Sequence, residues 1–391
     1  MIDKEAVKNY NNTECVIKYL YGDSEKMTVS LCIIAYNEHQ ALPALLKDVL
    51  SQTYPKELTE IVLADGGSQD DTKQIMTRFA DENRSAYMGI QVIDNTRRIQ
   101  AAGWNTAIKA AEGDVIIRVD AHASIPADFI EKNMKLISEG EYVCGGARPN
   151  NILSPTPYRK MLLLAESSMF GSSIAGYRRQ QGGKKYVSSL FHGAYRREVF
   201  GKVGGFDESL GRTEDNELHW RIRQNGYRIC MSDEIISYQN IRPSLSAMLG
   251  QKFGNGKWIG LTAGVCPKCL SVFHFVPFCF AAALVMCLIM LITGLCTGTW
   301  ILCLPFWLLI GAYSAADLLM TLTAVISAEE KSIYLALLPL IFPLLHIFYG
   351  FGTVVGMIEL PFWKSSLDGS AKQEIEEVKR CVSEKTKQEV I

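Results

Sequence analysis

Net charge is the first thing this 391-residue sequence lacks: 40 Lys and Arg stand against 41 Asp and Glu, a formal −1. That balance argues against a protein that grips nucleic acid through bulk positive charge, and no nucleic-acid partner is expected. Charge is also missing locally. Between Cys269 and Trp363 the only charged side chains are Asp317, Glu329, Glu330, Lys331 and Glu359, so the mean hydropathy of +0.08 averages over two different solvents. A wholly soluble enzyme is excluded, and so is a transporter built of membrane spans throughout. No comparable apolar run precedes Leu270, and Met1 to Lys26 carries scattered Asp, Glu and Lys where a signal peptide needs an apolar core. Neither G-x-G-x-x-G nor G-x-x-x-x-G-K-[ST] is present, which disfavours a phosphate-cradling loop. The 11 cysteines lack the even count and spacing of a secreted disulfide framework, and Cys266 with Cys269 forms a CxxC that has no second pair.

What is present is three long apolar runs, Ser271 to Thr293, Trp300 to Ile326 and Ile333 to Ile358. A helix rises ~1.5 Å per residue and the hydrocarbon core is ~30 Å thick, so each is long enough to cross. Pro339 and Pro343 leave a second reading for the third run, a re-entrant or interfacial pair. Lys252, Lys257 and Lys268 precede the first run and favour a cytoplasmic position for everything before it, so a multi-pass protein of the inner, cytoplasmic membrane is expected. The expected organisation is an extension over 1–28, a transfer domain over 29–245, an interfacial segment over 246–270, a membrane region over 271–363 and a charged tail over 364–391. The tail reads as a solvated helix or a disordered end with Glu and Lys at i, i+4 offsets.

The first part alternates strand and helix. Val29 to Ala35 is β-branched and apolar, with Tyr36, Asn37 and Glu38 at its end and leucines at 42, 45, 46 and 50 after it. Glu60 to Ala64 ends in Asp65-Gly66-Gly67-Ser68, and Asp70-Asp71-Thr72 opens the next helix. Ile90 to Ile93, a helix around Ala101 to Ala111, and Asp114 to Val119 ending in Asp120-Ala121-His122 complete the series. This order predicts an α/β fold with a mostly parallel sheet covered on both faces, whose ligands bind at the carboxyl ends of the strands. Three strands end in polar residues at that edge.

Asp120 and His122 leave a buried strand on the same side of an extended segment, because side chains alternate with period two. A carboxylate with an imidazole suits a divalent cation, and the imidazole moves preference from Mg²⁺ towards Mn²⁺. The alternative is an Asp that caps the next helix beside a partly exposed His. A tight turn accounts for Gly66 and Gly67, whereas Asp65, a rim carboxylate with no basic partner nearby in sequence, is a good hydrogen-bond acceptor for a base or ribose.

These segments resemble a known family. Ser30 to Glu38, Glu60 to Thr72, Arg97 to Ile108 and Gly113 to His122, with its Arg-Val-Asp-Ala-His ending, look like the nucleotide-sugar half of family 2 glycosyltransferases, in particular the succinoglycan-type exopolysaccharide enzymes. The resemblance runs from about Val29 to Trp258. It implies a GT-A fold, a nucleoside diphosphate sugar donor with a lean to uridine, and Mn²⁺ or Mg²⁺ under the diphosphate. On this resemblance Ala35, Tyr36, Asn37, Glu38, Asp65, Arg98 and Asp120 lie on the donor side, with Asp120 and His122 as metal ligands. The wider family has Asp where His122 stands and often at Gly66.

Thr213-Glu214-Asp215 opens a later helix with Leu218 and Ile222 on one face and Arg221 in reach of Glu217. Read plainly, its acids favour the positive end of the helix. The resemblance makes Asp215 the general base and sets Glu214 on the acceptor or diphosphate side. Gln251, Lys257 and Trp258 are similar to a Gln-x-x-Arg-Trp segment of membrane-bound relatives, which implies the same side for them. They also read as an interfacial helix with Trp and Lys at headgroup depth. The expected activity is inverting, metal-dependent sugar transfer to a polyprenyl-diphosphate-linked glycan in exopolysaccharide or capsule synthesis. A processive synthase, or a membrane-tethered binding or scaffold subunit without catalysis, is the alternative.

Overall fold

The computed structural model describes residues 27–152, 155–171 and 183–388. The strands are β1 (Val29–Ala35), β2 (Thr59–Asp65), β3 (Gly89–Asp94), β4 (Val115–Asp120), β5 (Ala123–Ser124), β6 (Val143–Ala147), β7 (Asn150–Asn151), β8 (Lys184–Tyr186), β9 (Gly193–Arg196), β10 (Ile229–Ile236) and β11 (Tyr238–Asn240). Eight of them form one sheet in the order β3-β2-β1-β4-β9-β6-β10-β8, and β5-β11-β7 form a small second sheet. The first four are mutually parallel, as their shared strand–turn–helix pattern predicts. Beyond β4 the sheet is mixed, because β9 runs antiparallel to both β4 and β6. The observed architecture is therefore a parallel half that presents one carboxyl edge and a mixed half that closes it.

In the same chain order the helices are α1 (Leu42–Leu50), α2 (Thr72–Asn83), α3 (Gln100–Ala110), α4 (Phe129–Ser138), α5 (Pro157–Ser167), α6 (Arg197–Val203), α7 (Glu214–Gln224), α8 (Leu245–Thr262), α9 (Val276–Thr297), α10 (Leu304–Ser327), α11 (Leu338–Ser365) and α12 (Ser370–Gln388). Alternation divides the sheet's side chains between two cores. Leu31, Ile33, Ile61, Leu63, Ile117 and Val119 pack with Leu42, Leu45, Met76 and Phe129 on one face. Cys32, Val62 and Ile116 pack with Trp104, Phe200, Phe206 and Leu218 on the other.

Three segments are long and apolar enough to cross a membrane: Val272–Thr297, Trp300–Ser327 and Ile333–Ser365. The third is unbroken from Leu338 to Ser365. Pro339 lies in its first turn, where no intrahelical donor is lost, and the helix continues through Pro343. Helix α8 lies against α11 at backbone-to-backbone distance. A Cβ at Gly256 would lie 1.9 Å from the Tyr349 carbonyl, and one at Gly352 would lie 2.1 Å from that of Phe253. Gly256 and Gly260 thus face Gly352 and Gly356, a small-residue contact on both helices.

The tail differs from its reading as a free end. Val378 and Val382 of α12 are wholly buried in the core that holds Trp104 and Phe200. Glu374 accepts from Arg97 at 2.7 Å and from Lys109 at 2.5 Å. The i, i+4 charge pattern describes only the solvent face of this helix. Its valines, four residues apart, supply the buried stripe.

Candidate active site

The loops after β1 and β2 are laced together at the carboxyl edge. Asn37 takes φ 54°, a left-handed conformation that Asn tolerates. Its N–H donates to Ser68 Oγ at 3.0 Å, its Oδ1 accepts from Gln69 N–H at 2.8 Å, and Glu38 N–H donates to Thr72 Oγ1 at 2.8 Å. The Ala35 carbonyl accepts from Gly66 N–H at 2.8 Å, while the Tyr36 ring stays half exposed beside it. Asp65 is buried and turned onto the following turn, where its Oδ2 accepts from Gly67 N–H at 3.0 Å and Ser68 N–H at 3.1 Å. In this structure Asp65 closes the turn with Gly67 and Ser68. Arg98, at φ 59°, crosses the turn: a Cβ on Gly67, itself at φ +77°, would lie 2.9 Å from Arg98 Nε. The positive φ is what calls for glycine at position 67.

Asp120 closes β4 and His122 lies in the turn that follows, and each has a partner from elsewhere. His122 Nδ1 lies 3.2 Å from Glu38 Oε1, and its Nε2 lies 3.3 Å from the Gln239 amide nitrogen. Burial lowers the His122 pKa, but the bond to Glu38 and the charges of Asp120 and Glu38 outweigh it and hold it above its ordinary value. Asp120 meets the buried His192, whose Nε2 lies 3.4 Å from the Asp120 amide and 3.6 Å from its carboxylate. His192 is fixed in turn by Ser237 Oγ at 2.8 Å from its Nδ1. Burial favours protonation of Asp120, yet His192, His122 and Arg118 together hold its carboxyl well below the usual range. Burial likewise pulls His192 below its ordinary value, against the attraction of Asp120.

No three His, Cys, Asp or Glu side chains among the described residues converge as a ready metal cluster. The donor set at the end of β4 nonetheless suits a divalent cation. Asp120 is an ionised carboxylate, and with Glu38 at Nδ1 the His122 Nε2 faces the Gln239 amide nitrogen, the position a cation would take over. A metal-ligating histidine characteristically donates its other N–H to a carboxylate in this way.

Arg118, two residues before Asp120 on the same face of β4, joins this edge to the start of α7. Its guanidinium is fully buried between the Trp104 ring, 4.4 Å away, and the Phe206 ring, 4.6 Å away. From there Nη1 donates to Asp215 Oδ1 at 2.5 Å. Asp215 thus has one oxygen anchored, and its side chain keeps 13 % exposure. Its neighbour Glu214 is wholly buried, and its Oε2 has no hydrogen-bond partner among the described residues. Burial first, and then the adjacent Asp215 charge, push Glu214 up to about 8. Glu214 thereby keeps its proton at neutral pH.

Helix α8 forms a further wall of the site. Gln251 and Asn255 line a polar slot with Asn150, Gln239, Asn240 and Arg242, and Asn255 Oδ1 accepts from Arg212 Nη1 at 2.9 Å. No carboxylate pairs with Arg212 or Arg242 among the described residues. Burial and the neighbouring Arg242 lower the Arg212 pKa, against the pull of Glu214. Trp258 underlies the loop that leads into α7, since a Cβ at Gly211 would lie 2.3 Å from its ring. Lys257 requires a correction: it pairs with Glu359 of α11 at 2.6 Å and does not enter the slot. Two residues beyond Asn255 is about 200° around a helix, so Lys257 faces the opposite way. Arg118, His192, Gln239 and Arg242 were missed by the sequence reading. Arg118 stood inside the Gly113 to His122 segment, whereas nothing local marked Gln239 and Arg242.

A parallel sheet edge with Asp120 and His122 at the end of β4, beneath an acidic helix start, is the GT-A architecture of a glycosyltransferase. A profile described as Glycosyl transferase family 2 matches residues 30–204. The succinoglycan biosynthesis protein ExoA of Rhizobium meliloti (strain 1021) is 31 % identical over 243 residues, which cover 60 % of this chain and 70 % of that one. A Methanococcus voltae enzyme, dolichyl N-acetyl-alpha-D-glucosaminyl phosphate 3-beta-D-2,3-diacetamido-2,3-dideoxy-beta-D-glucuronosyltransferase, is 25 % identical across 85 % of this chain and 97 % of its own. Among solved structures, the mannosyltransferase PcManGT from Pyrobaculum calidifontis, in complex with GDP-Man and Mn²⁺, superposes with a TM-score of 0.53 at 16 % identity, covering 87 % of this chain and 88 % of that one. The chain belongs to glycosyltransferase family 2 and is a glycosyltransferase.

Proposed function

We propose that this enzyme transfers a sugar, with inversion, from a nucleoside diphosphate sugar, UDP-sugars foremost, to a polyprenyl-phosphate- or diphosphate-linked acceptor, in bacterial exopolysaccharide or capsule synthesis. The observation that carries this reading is Arg118, which ties the metal-type end of β4 to Asp215 through one buried guanidinium. Donor and acceptor chemistry are thereby held in one rigid unit. Asp215 accepts the proton of the acceptor hydroxyl as its oxygen attacks the anomeric carbon. The bond to the diphosphate breaks with its electron pair leaving on the nucleotide. Attack opposite the leaving group inverts the centre, so no covalent nucleophile is required.

Asp120 and His122 would hold Mn²⁺ or Mg²⁺, which when bound neutralises charge developing on the diphosphate. The slot along α8, lined by amides, Arg242 and Glu166 and flanked by Arg212, lies on the acceptor side in this reading. Relatives named for dolichyl and undecaprenyl phosphates favour a phosphate-bearing lipid acceptor. A cytoplasmic transfer domain at the inner membrane follows from the lysines before the first apolar helix.

Purified protein in lipid nanodiscs, given a panel of nucleotide sugars, Mn²⁺ and polyprenyl phosphates, tests this directly. Asp215→Asn is expected to lower kcat by ~10² to 10⁴ while donor binding persists. Undiminished transfer by that variant would remove Asp215 as the base.

A further inference from the structure

The tail helix and the transfer domain share one core, and that fixes a parity. Val378 and Val382 of α12 are buried with Phe200 and Trp104, and a Cβ at Gly204 would lie 2.4 Å from the Ile375 carbonyl. Residues before α9 and residues after α11 therefore lie on the same side of any membrane. A chain that leaves and returns to one side crosses an even number of times. All three apolar helices cannot cross.

The contacts identify the exception. α9 and α10 form a hairpin through Gly294, packed at the Thr299–Cys303 turn. By the end of α10 the chain is back at the transfer domain. Ala324 and Leu335 share a cluster with Met161, Leu162 and Ala165 of α5, and Glu330 pairs with Lys160. From Leu338 to Ser365, α11 then runs beside α8 in the same direction, since Gly352 meets Phe253 and Leu360 meets Gly264. α8 is itself bonded to the transfer domain, through Lys252 to Glu166 at 2.9 Å and Asn255 to Arg212 at 2.9 Å.

Exposure on α11 follows the same logic. Its outward large apolar residues Leu340, Phe348, Phe351, Ile358 and Phe362 fall at offsets of 8, 11, 18 and 22 from the first. At 100° per residue that is a single stripe within about 80° of arc. Leu338, Phe342, Leu345, Thr353 and Gly356 are buried about 140 to 220° further round the helix. In α9, by contrast, Val285, Met286, Leu288, Ile289, Ile292 and Leu295 are all exposed and spread over more than a third of the circumference.

We propose that only α9 and α10 cross, as a hairpin, and that α11 lies in the plane of the leaflet facing the transfer domain with its stripe in the headgroup–acyl boundary. The occupant of that stripe is lipid acyl chain, continuous with the lipid around the hairpin. The stripe is the part of this apolar helix that α8 and the start of α9 leave uncovered, and together with the parity it sets α11 along the boundary and not across it. This goes beyond the proposed transfer reaction and does not depend on it. It places the mouth of the α8 slot at the headgroup level of one leaflet.

Single cysteines introduced into the full-length protein in cells, as Thr299→Cys, Glu329→Cys and Ser366→Cys, test the topology with a membrane-impermeant maleimide scored above the unsubstituted protein. Position 299 should label from the side opposite to 329 and 366. Labelling of 366 from the same side as 299 would overturn the proposal. A C-terminal epitope on the otherwise unaltered chain, probed by protease in vesicles of both orientations, answers the same question without touching a helix. Depth-dependent quenching of probes at Leu340→Cys, Phe351→Cys and Phe362→Cys should give equal depths. A distinctly deeper middle position would show a crossing helix.

Discussion

Replacing Arg118 by Met separates positioning from stability. Breaking a buried pair by removing one partner commonly costs ~3 to 5 kcal/mol, because a charge is left uncompensated. Two features shrink that figure here. Asp215 retains 13 % exposure, so water can replace much of the lost partner. Arg118 Nε and Nη2 have no acceptor among the described residues, and each unmet buried donor costs about 1 to 3 kcal/mol that Met relieves. Met also fills the space between Trp104 and Phe206, at the expense of cation–π contacts worth about 0.5 to 2 kcal/mol each. These terms offset one another, and the net stability change should stay within about 2 kcal/mol.

Activity has no such compensation. Without Nη1 the Asp215 carboxylate is no longer fixed, and a misplacement of about 1 Å at the reacting centre costs ~10²-fold. Steady-state kinetics of Arg118→Met should therefore show kcat reduced about a hundredfold with the donor KM nearly unchanged. The double variant with Asp215→Asn should be no slower than Asp215→Asn alone, because Arg118 acts through that carboxylate. Multiplicative losses in the double variant, or a wild-type kcat in Arg118→Met, would refute the reasoning.

Glu214 is held at about 8 against an ordinary 4.5, so the native state keeps a proton that the unfolded chain releases between those values. Stability should fall as pH rises through that window, and Glu214→Gln should flatten melting temperature against pH from 5 to 8.5. Glu38→Gln removes the carboxylate that orients His122 and should weaken Mn²⁺ binding ~10- to 100-fold by calorimetry; an unchanged affinity would dissociate Glu38 from the metal site. Gly352→Leu drives a side chain into the Phe253 carbonyl and should cost ~1 to 3 kcal/mol or more in detergent melts. Gly311→Leu, where nothing lies within 4 Å, should not.

Much of the catalytic edge was legible in advance because its signals are short-range. A strand of seven residues, Val29–Ala35, announces itself by β-branched apolar side chains, and a polar residue directly after it must lie at the strand's end. The same holds for Asp120 and His122 after β4. Asp65 was read as a rim acceptor, and its bonds to the Gly67 and Ser68 amides depend on where the turn points them, which no residue type encodes.

Local pattern and composition sufficed for the order of the parallel strands, the residues at their ends and the length of the apolar runs, since each depends on neighbours a few positions apart. The bond from Arg118 to Asp215 spans 97 positions and depends on how α7 docks under β4. Lys257 went to Glu359 because α11 lies on that face of α8, a fact no spacing within α8 could encode. The crossing number belongs to the same class. Hydropathy measures whether a helix could enter lipid, but the side on which the chain re-emerges is fixed by where α12 finds its core.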